Sequence, residues 1–210
     1  TERLSDRALF TESFAVIPRG VMRDIVTSRL PLWEGTRAWI LARPMTGFAE
    51  TFAQYAMEVA PGGGSDRPEP EPGAEAALFV LDGELGLSLG KQEHHLSAGG
   101  FAYVPPETDW RVRNAGDRPL RFLWIRKAYE AVSGLPYPDP LVTHEQEVEA
   151  VAMPDTEGAW ATTRFIDADD LRHDMHVNIV TFAPGGVIPF METHVMEHGL
   201  YVLEGKGVYR

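Results

Sequence analysis

Three side chains with metal-binding chemistry lie within seven residues of one another near the end of the sequence. They are Glu192, His194 and His198, in the run that covers residues 185–209. If this run is an extended strand, positions 192, 194, 196 and 198 share one face, because successive side chains of a strand point to opposite sides. One carboxylate and two imidazoles on one face are suitable ligands for a borderline divalent metal. The sequence therefore predicts a metal site at Glu192, His194 and His198.

The elements that position these ligands are predicted to be strands. The sequence contains 20 Gly and 16 Pro, and few of its segments have the 3.6-residue apolar period of a helix. Short apolar runs separated by glycine or proline turns are typical of a sandwich or a small barrel. We therefore predict an all-β chain. Strands are predicted over residues 77–81, 84–89, 93–96, 101–104, 110–114 and 120–127, and residues 60–73 are predicted to be a loop.

A repeated sequence indicates that the barrel occurs twice. The segment APGG at residues 60–63 returns at residues 183–186, and ALFVLDG at 77–83 returns as GLYVLEG at 199–205. The offsets are 123 and 122 residues, so one insertion or deletion separates the copies. Self-similarity at this period indicates a duplicated domain rather than a solenoid. The predicted domains are a first barrel over 1–130, a proline-rich linker over 131–146 and a second barrel over 147–210.

Composition excludes several classes of partner. The 31 acidic and 19 basic residues give a net charge of −12, which opposes binding to nucleic acids and to anionic membranes. No apolar run reaches the length of about 18 residues that a membrane span needs, and the first residues lack the apolar core of a signal peptide. The absence of cysteine fits a reducing compartment. We expect a cytoplasmic protein with a small-molecule partner.

The spacing of the predicted ligands resembles the first motif of the cupin superfamily, G-x5-H-x-H-x3or4-E-x6-G. In this sequence Gly186, Glu192, His194, His198 and Gly205 reproduce the spacing, with the ligand types in the order Glu, His, His. The resemblance implies tandem cupin barrels of the jelly-roll, or double-stranded β-helix, type.

The first copy of the repeat departs from the cupin pattern. Its equivalents of the ligand positions are Pro70, Pro72 and Ala76, and Trp110 stands where the second cupin motif has a histidine. None of these side chains binds a metal. The resemblance therefore implies a first barrel without a metal site and a second barrel that holds the metal.

A more specific resemblance is to the (S)-ureidoglycine aminohydrolase family, bicupins of allantoin and purine breakdown. It rests on Glu192-Thr193-His194-x3-His198-Gly199 and on three longer segments, EGKGVY at 204–209, NIVTFAPG at 178–185 and FLWIRKAY at 122–129. The resemblance implies that Glu192, His194 and His198 hold Mn²⁺ and that the enzyme releases ammonia from (S)-ureidoglycine to give (S)-ureidoglycolate. Tyr209 matches a tyrosine near the substrate, so Glu192 and Tyr209 are the predicted catalytic residues and Tyr209 the predicted substrate-binding residue.

The sequence ends at Arg210, before the strands that carry the second motif in a cupin. We therefore expect the second barrel to be truncated and the native polypeptide to be longer. The family's fourth ligand, a glutamine, and its substrate-binding lysine would lie beyond Arg210. An incomplete barrel leaves an apolar edge that recruits another chain, so a homo-oligomer is expected.

The residues leave other functions open. Fe²⁺ and Zn²⁺ suit the same ligands as Mn²⁺, and a metal-dependent cupin dioxygenase or isomerase would use the same site. A bicupin that binds a small molecule without catalysis is the other alternative, because cupins host many functions. Outside the motif, His173 and His176 are expected at the surface.

Overall fold

The computed structural model describes residues 7–23, 27–44, 51–190 and 196–208. In these ranges the chain forms fourteen strands and two 3-10 helices, Val21–Arg23 and Glu145–Glu147. The all-β prediction is confirmed. The strands are β1 (Leu9–Phe10), β2 (Ala15–Val16), β3 (Glu34–Ala42), β4 (Phe52–Ser65), β5 (Ala74–Asp82), β6 (Leu85–Leu89), β7 (Gln92–Leu96), β8 (Gly100–Val104), β9 (Trp110–Asn114), β10 (Leu120–Ala128), β11 (Leu141–His144), β12 (Ala150–Ala152), β13 (Trp160–Arg164) and β14 (Asn178–Phe182).

Nine strands form one antiparallel sheet that curls into a nearly closed barrel. Its order is β11-β8-β5-β10-β4-β9-β6-β7. Strand β3 also pairs with β4, along the edge opposite to β10. Strands β12, β13 and β14 form a separate three-stranded sheet, and β1 and β2 form a hairpin. Strand β11 lies within the predicted linker and pairs with β8 at the edge of the barrel sheet. The division of the chain into domains stays a prediction.

Both faces of the barrel sheet are buried, and successive side chains along a strand point alternately to one face and the other. On β5, Ala76, Leu78 and Val80 point into the barrel core, while Ala77 and Phe79 belong to a second apolar cluster on the outer face. Residues that follow the barrel cover this outer face, among them Phe165, Ile166 and Met175. The Phe165 ring stacks on Phe101 with 4.3 Å between ring centroids. The region after the barrel is therefore packed firmly against it.

The six strands predicted between residues 77 and 127 correspond to β5–β10. The predicted loop over 60–73 is only partly a loop, because β4 continues to Ser65 through glycines that permit an irregular strand. A Cβ atom on Gly64 would lie 2.0 Å from the carbonyl oxygen of Val112. Gly64 pairs there with Arg113, so the missing side chain lets β4 and β9 approach closely.

None of the helical segments in the described ranges has the length and apolar character that a membrane span requires.

Candidate functional site

The structure describes only one of the three predicted metal ligands. His198 is an exposed residue in the segment 196–208. Glu192, His194 and the predicted catalytic Tyr209 lie outside the described residues. Within the described ranges, no group of three His, Cys, Asp or Glu side chains is arranged to hold a metal ion. The ligand set at residues 192, 194 and 198 therefore stays a prediction from the sequence.

The prediction of a strand over the metal motif is wrong for the part that is described. Residues 196–208 contain no helix or strand, only bends at Met196 and at Glu204 and Gly205. A strand exists only where a neighbour completes its backbone hydrogen bonds, and no described strand pairs with this segment.

The residues on both sides of His198 contact the start of β4. Glu197 Oε2 accepts hydrogen bonds from the backbone N of Thr51 at 2.8 Å and from Thr51 Oγ1 at 2.6 Å. Gly199 lies so close to the barrel that a Cβ atom there would be 2.4 Å from Gln54 Oε1 and 3.1 Å from Phe52 Cε2. The described end of the metal motif is therefore held against the first barrel.

The equivalent positions in the first barrel have a different environment. Ala76 is buried in the barrel core, and Pro70 and Pro72 line a cleft of about 280 Å³ together with Trp110. Trp110 lies edge-on to Trp124, with 6.1 Å between ring centroids. At the position where the second cupin motif has a histidine, the first barrel therefore has a tryptophan that packs against another tryptophan beside the cleft.

Ion pairs hold two carboxylates of this cleft. Glu69 makes two hydrogen bonds with the guanidinium of Arg126, at 2.5 and 2.8 Å, and Asp66 pairs with Arg113 at 2.8 Å. A carboxylate engaged in a bidentate arginine pair has little capacity left for a cation.

A buried polar cluster joins the barrel to the region that covers its outer face. Glu75, on β5, is fully buried and accepts a hydrogen bond of 2.7 Å from the Tyr103 hydroxyl. Its carboxyl group is also hydrogen-bonded to that of Asp174, which in turn forms an ion pair with Lys127 and accepts a hydrogen bond of 2.8 Å from the backbone N of Glu130. His173 packs edge-on against Tyr103, with 4.7 Å between ring centroids.

Burial decides the protonation of this cluster. Desolvation, with a smaller contribution from Asp174, raises the pKa of Glu75 to about 8. Burial also opposes ionisation of Asp174, but hydrogen bonds from Glu75 and Lys127 lower its pKa below the usual value. At neutral pH Glu75 is therefore protonated and donates to the Asp174 carboxylate. Glu75 Oε1 and Asp174 Oδ1 are both buried and accept no hydrogen bond from a described donor, which fits one proton shared between the two carboxyl groups.

The sequence carried one signal for this cluster. Glu75 is the only charged residue in the run AEAALFVL at 74–81, and a lone carboxyl in a buried strand needs a partner. The partner Asp174 is remote in the sequence, so no local pattern identifies it. The expectation of a surface position is wrong for His173, whose side chain is 9% exposed, whereas His176 is exposed.

Comparison with known proteins places the chain among cupins. The family model described as a cupin domain matches residues 55–126, which lie in the barrel. The chain is 30% identical over 209 residues to (S)-ureidoglycine aminohydrolase of Escherichia coli, covering 98% of this chain and 76% of that protein. It is 29% identical to a rice protein named as a probable (S)-ureidoglycine aminohydrolase, covering 88% of this chain and 57% of the relative.

Two solved structures resemble the chain over most of its length. A crystal structure of a Pseudomonas aeruginosa protein described as glyoxylate-induced is 61% identical, with a TM-score of 0.84, and covers 91% of this chain and 72% of that one. The structure of the E. coli protein Ylba is 26% identical, with a TM-score of 0.78, and covers 91% of this chain and 74% of the other. These matches confirm the predicted cupin fold.

Proposed function

We infer that this chain, which belongs to the (S)-ureidoglycine aminohydrolase family of cupin enzymes, hydrolyses (S)-ureidoglycine to (S)-ureidoglycolate and ammonia. The observation that carries the proposal is the 30% identity to the E. coli enzyme over 98% of the chain. The reaction breaks the bond between the α-carbon and its amino group and forms a bond from that carbon to a water oxygen. Its place in the cell would be the breakdown of allantoin and other purine products.

The donor chemistry of the motif fits a divalent metal. One carboxylate and two imidazoles, Glu192, His194 and His198, suit Mn²⁺, Fe²⁺ or Zn²⁺. We propose Mn²⁺, because the resemblance to the family implies it. When bound, the metal would act as a Lewis acid and as a template that holds the substrate.

The protein's own residues would orient the substrate and exchange protons. We propose that the Tyr209 hydroxyl binds the substrate by a hydrogen bond, which fixes its orientation for attack from one face. A base must accept a proton from the attacking water as the amino group leaves with one. Glu192 is the predicted catalytic carboxylate of the motif.

We propose that the two halves of the chain have different roles. The first barrel, predicted over 1–130, would support the structure without a metal, and the second barrel, predicted over 147–210 after the 131–146 linker, would carry the ligands. Support comes from the residues at the equivalent positions, since Ala76 stands in the first copy where His198 stands in the second.

We propose that the protein is a cytoplasmic homo-oligomer. The absence of cysteine fits a reducing compartment. Leu200, Val202 and Val208 expose large apolar side chains on one segment, and such surface favours association with another chain. Light scattering after size-exclusion chromatography measures the mass in solution, and a monomer at micromolar concentration would contradict this part of the proposal.

Ammonia release tests the proposed reaction. Metal-free protein would be incubated with ureidoglycine generated in situ from allantoate, with Mn²⁺, Fe²⁺ or Zn²⁺ added separately, and spontaneous decay subtracted. We expect release that depends on the metal and is absent from a Glu192→Ala, His194→Ala double variant. His176→Ala removes an exposed histidine outside the motif and serves as the matched control, with activity unchanged.

Other outcomes identify the alternative functions. Metal binding without ammonia release would contradict the aminohydrolase reaction. Oxygen consumption with Fe²⁺ would then indicate a dioxygenase, whereas substrate binding without turnover would indicate a binding protein.

A further inference from the structure

We propose that the first barrel positions the metal ligand His198, through contacts of its two sequence neighbours with the start of β4, and that Thr51 and Glu197 are positioning residues. The proposal rests on the proposed function, because it assigns a role toward the metal of the second barrel. It gives the first barrel, which is predicted to bind no metal itself, a part in building the site.

The contact at Glu197 is specific in geometry. Two donors from a single residue, the backbone N and the Oγ1 of Thr51, converge on Glu197 Oε2 at 2.8 and 2.6 Å. Hydrogen bonds to an ionised carboxylate are stronger and shorter than neutral ones. The pairing joins residues 146 positions apart, so it ties Glu197, the neighbour of His198, to the first barrel.

The contact at Gly199 fixes the other side of His198. The distances from a Cβ atom there to Gln54 Oε1 and Phe52 Cε2 would be 2.4 and 3.1 Å, closer than side chains normally pack. Gln54 is itself buried, within a strand that pairs with β3 on one side and β10 on the other. The backbone of His198 is therefore flanked by two contacts with the first barrel, one at Thr51 and one at Phe52 and Gln54.

The repeat supplies independent support, because residues at equivalent positions of the two copies also interact across the chain, with the glutamate in the other copy. The offset of 122 that relates the ALFVLDG and GLYVLEG segments also relates Glu75 to Glu197. The offset of 123 that relates the two APGG segments relates Thr51 to Asp174. Glu75 in the first half is hydrogen-bonded to Asp174 in the second, and Glu197 in the second half accepts from Thr51 in the first.

Comparing the two pairs shows which feature both copies have and which occurs only in the second copy. Both copies anchor a glutamate to the other half of the chain. The residue after that glutamate is Ala76 in the first copy and His198 in the second. The anchor is thus common to the duplicated architecture, and the second copy places a metal ligand directly beside it. Ligands held in place before binding lose less entropy when the metal arrives, which raises metal affinity.

Metal affinity tests the proposal separately from catalysis. The affinity of the full chain for Mn²⁺ alone would be measured by titration calorimetry, and the bound ion would be observed by electron paramagnetic resonance. We expect Glu197→Ala to weaken Mn²⁺ binding about tenfold, the loss typical when a supporting partner of a ligand is removed, and to alter the resonance spectrum. Glu197→Gln keeps an oxygen that accepts from Thr51 and is expected to lose clearly less affinity than Glu197→Ala. Glu204→Ala removes an exposed carboxylate of the same segment and is the matched control, with affinity unchanged.

A second pair of variants tests the contact from the other side. Thr51→Val removes the hydroxyl donor and keeps the backbone donor, so a smaller loss of affinity is expected, and Thr51→Ser should restore binding. Gly199→Ala should weaken binding through its overlap with Gln54, and Gln54→Ala in the same chain should recover part of the loss. Unfolding of the metal-free variants, followed by circular dichroism, shows whether each one is folded.

The outcomes separate this proposal from the proposed function. Folded Glu197→Ala and Thr51→Val proteins that bind Mn²⁺ as tightly as the unaltered chain would overturn the positioning role, even if ammonia is released. Weakened binding in both variants would support it, even if the unaltered protein releases no ammonia. Failure of the unaltered protein to bind any of the three metals would overturn both proposals.

Discussion

The two copies of the repeated segment have similar sequences and different surroundings. In the first copy, Leu78 and Val80 are 0% exposed within β5, which pairs with β8 and β10. In the second copy the equivalent Leu200 and Val202 are 68% and 63% exposed and belong to no strand. The glycine that ends each copy nevertheless has the same backbone conformation, with φ of +85° at both Gly83 and Gly205.

The comparison separates local from non-local effects. A positive φ is set by sterics within a few residues, and glycine adopts it without the penalty that other residues have. Strand formation and burial require partners that other parts of the chain supply. Two segments with the same turn can therefore differ completely in packing.

Truncating the equivalent leucines of the two copies should give the largest difference in stability between them. Leu78→Ala leaves a cavity in the barrel core and should lower the free energy of unfolding by about 2–5 kcal/mol. Leu200→Ala removes an exposed side chain and should change it by less than about 0.5 kcal/mol. Urea denaturation of both variants measures the difference, and similar losses would mean that residues around Leu200 are packed in solution.

The two glycines provide a finer test. Alanine at either Gly83 or Gly205 adds strain of about 1–2 kcal/mol in the left-handed region. At Gly83 the new Cβ would also lie 2.9 Å from the Cα of Leu120, so the backbone of β10 must shift. We expect Gly83→Ala to cost roughly 1 kcal/mol more than Gly205→Ala, because only the first includes this displacement. Thermal unfolding of the pair checks the order, and a larger loss at Gly205 would contradict it.

The pH dependence of stability tests the anchor of the first copy. Burial raises the pKa of Glu75 to about 8. The folded protein therefore retains a proton that the unfolded chain releases once the pH exceeds 4.5, the ordinary pKa of a glutamate. The unfolded state then binds fewer protons, so stability should fall as pH rises from about 4.5 to about 8 and level off above. Glu75→Gln keeps a donor toward Asp174 without a titrating proton.

We expect the stability of Glu75→Gln, relative to the unaltered protein, to improve by roughly 4 kcal/mol between pH 5 and pH 9, because the two pKa values differ over about three pH units of that range at about 1.4 kcal/mol each. Urea denaturation across that range measures it. Glu93→Gln, at an exposed position on β7, is the matched control and should show no such trend. Parallel curves for the Glu75 variant and the unaltered protein would show that Glu75 is ionised in the folded state.

Sequence patterns predicted most strands of the barrel but not the full extent of β4 or the presence of β11. Strands β5–β10 follow from short apolar runs between glycine or proline turns, because those signals are local. The extension of β4 through its glycines was predicted as a loop, since composition does not show that β3 and β9 approach there. Strand β11 was assigned to a linker for the same reason, as its partner β8 lies 40 residues away.

The candidate site shows the same division. Residue types and spacing predict Glu192, His194 and His198 as ligands, and that prediction rests on their chemistry alone. The contact between Thr51 and Glu197 had no signal in the sequence beyond the repeat. Glu75 was visible as a lone charge in an apolar strand, but its partner and its protonation were not.

By itself, the sequence determined the β class, the positions of the glycine turns and the repeated segments, and it predicted the metal-binding side chains. Each of these depends on residue types and on neighbours a few positions apart. Only the tertiary structure decided which copy of the repeat entered a sheet, that Glu75 is protonated against Asp174, and that Glu197 is anchored to Thr51. Those features depend on hydrogen-bond partners and on exclusion of water, and residues far apart in the chain supply both.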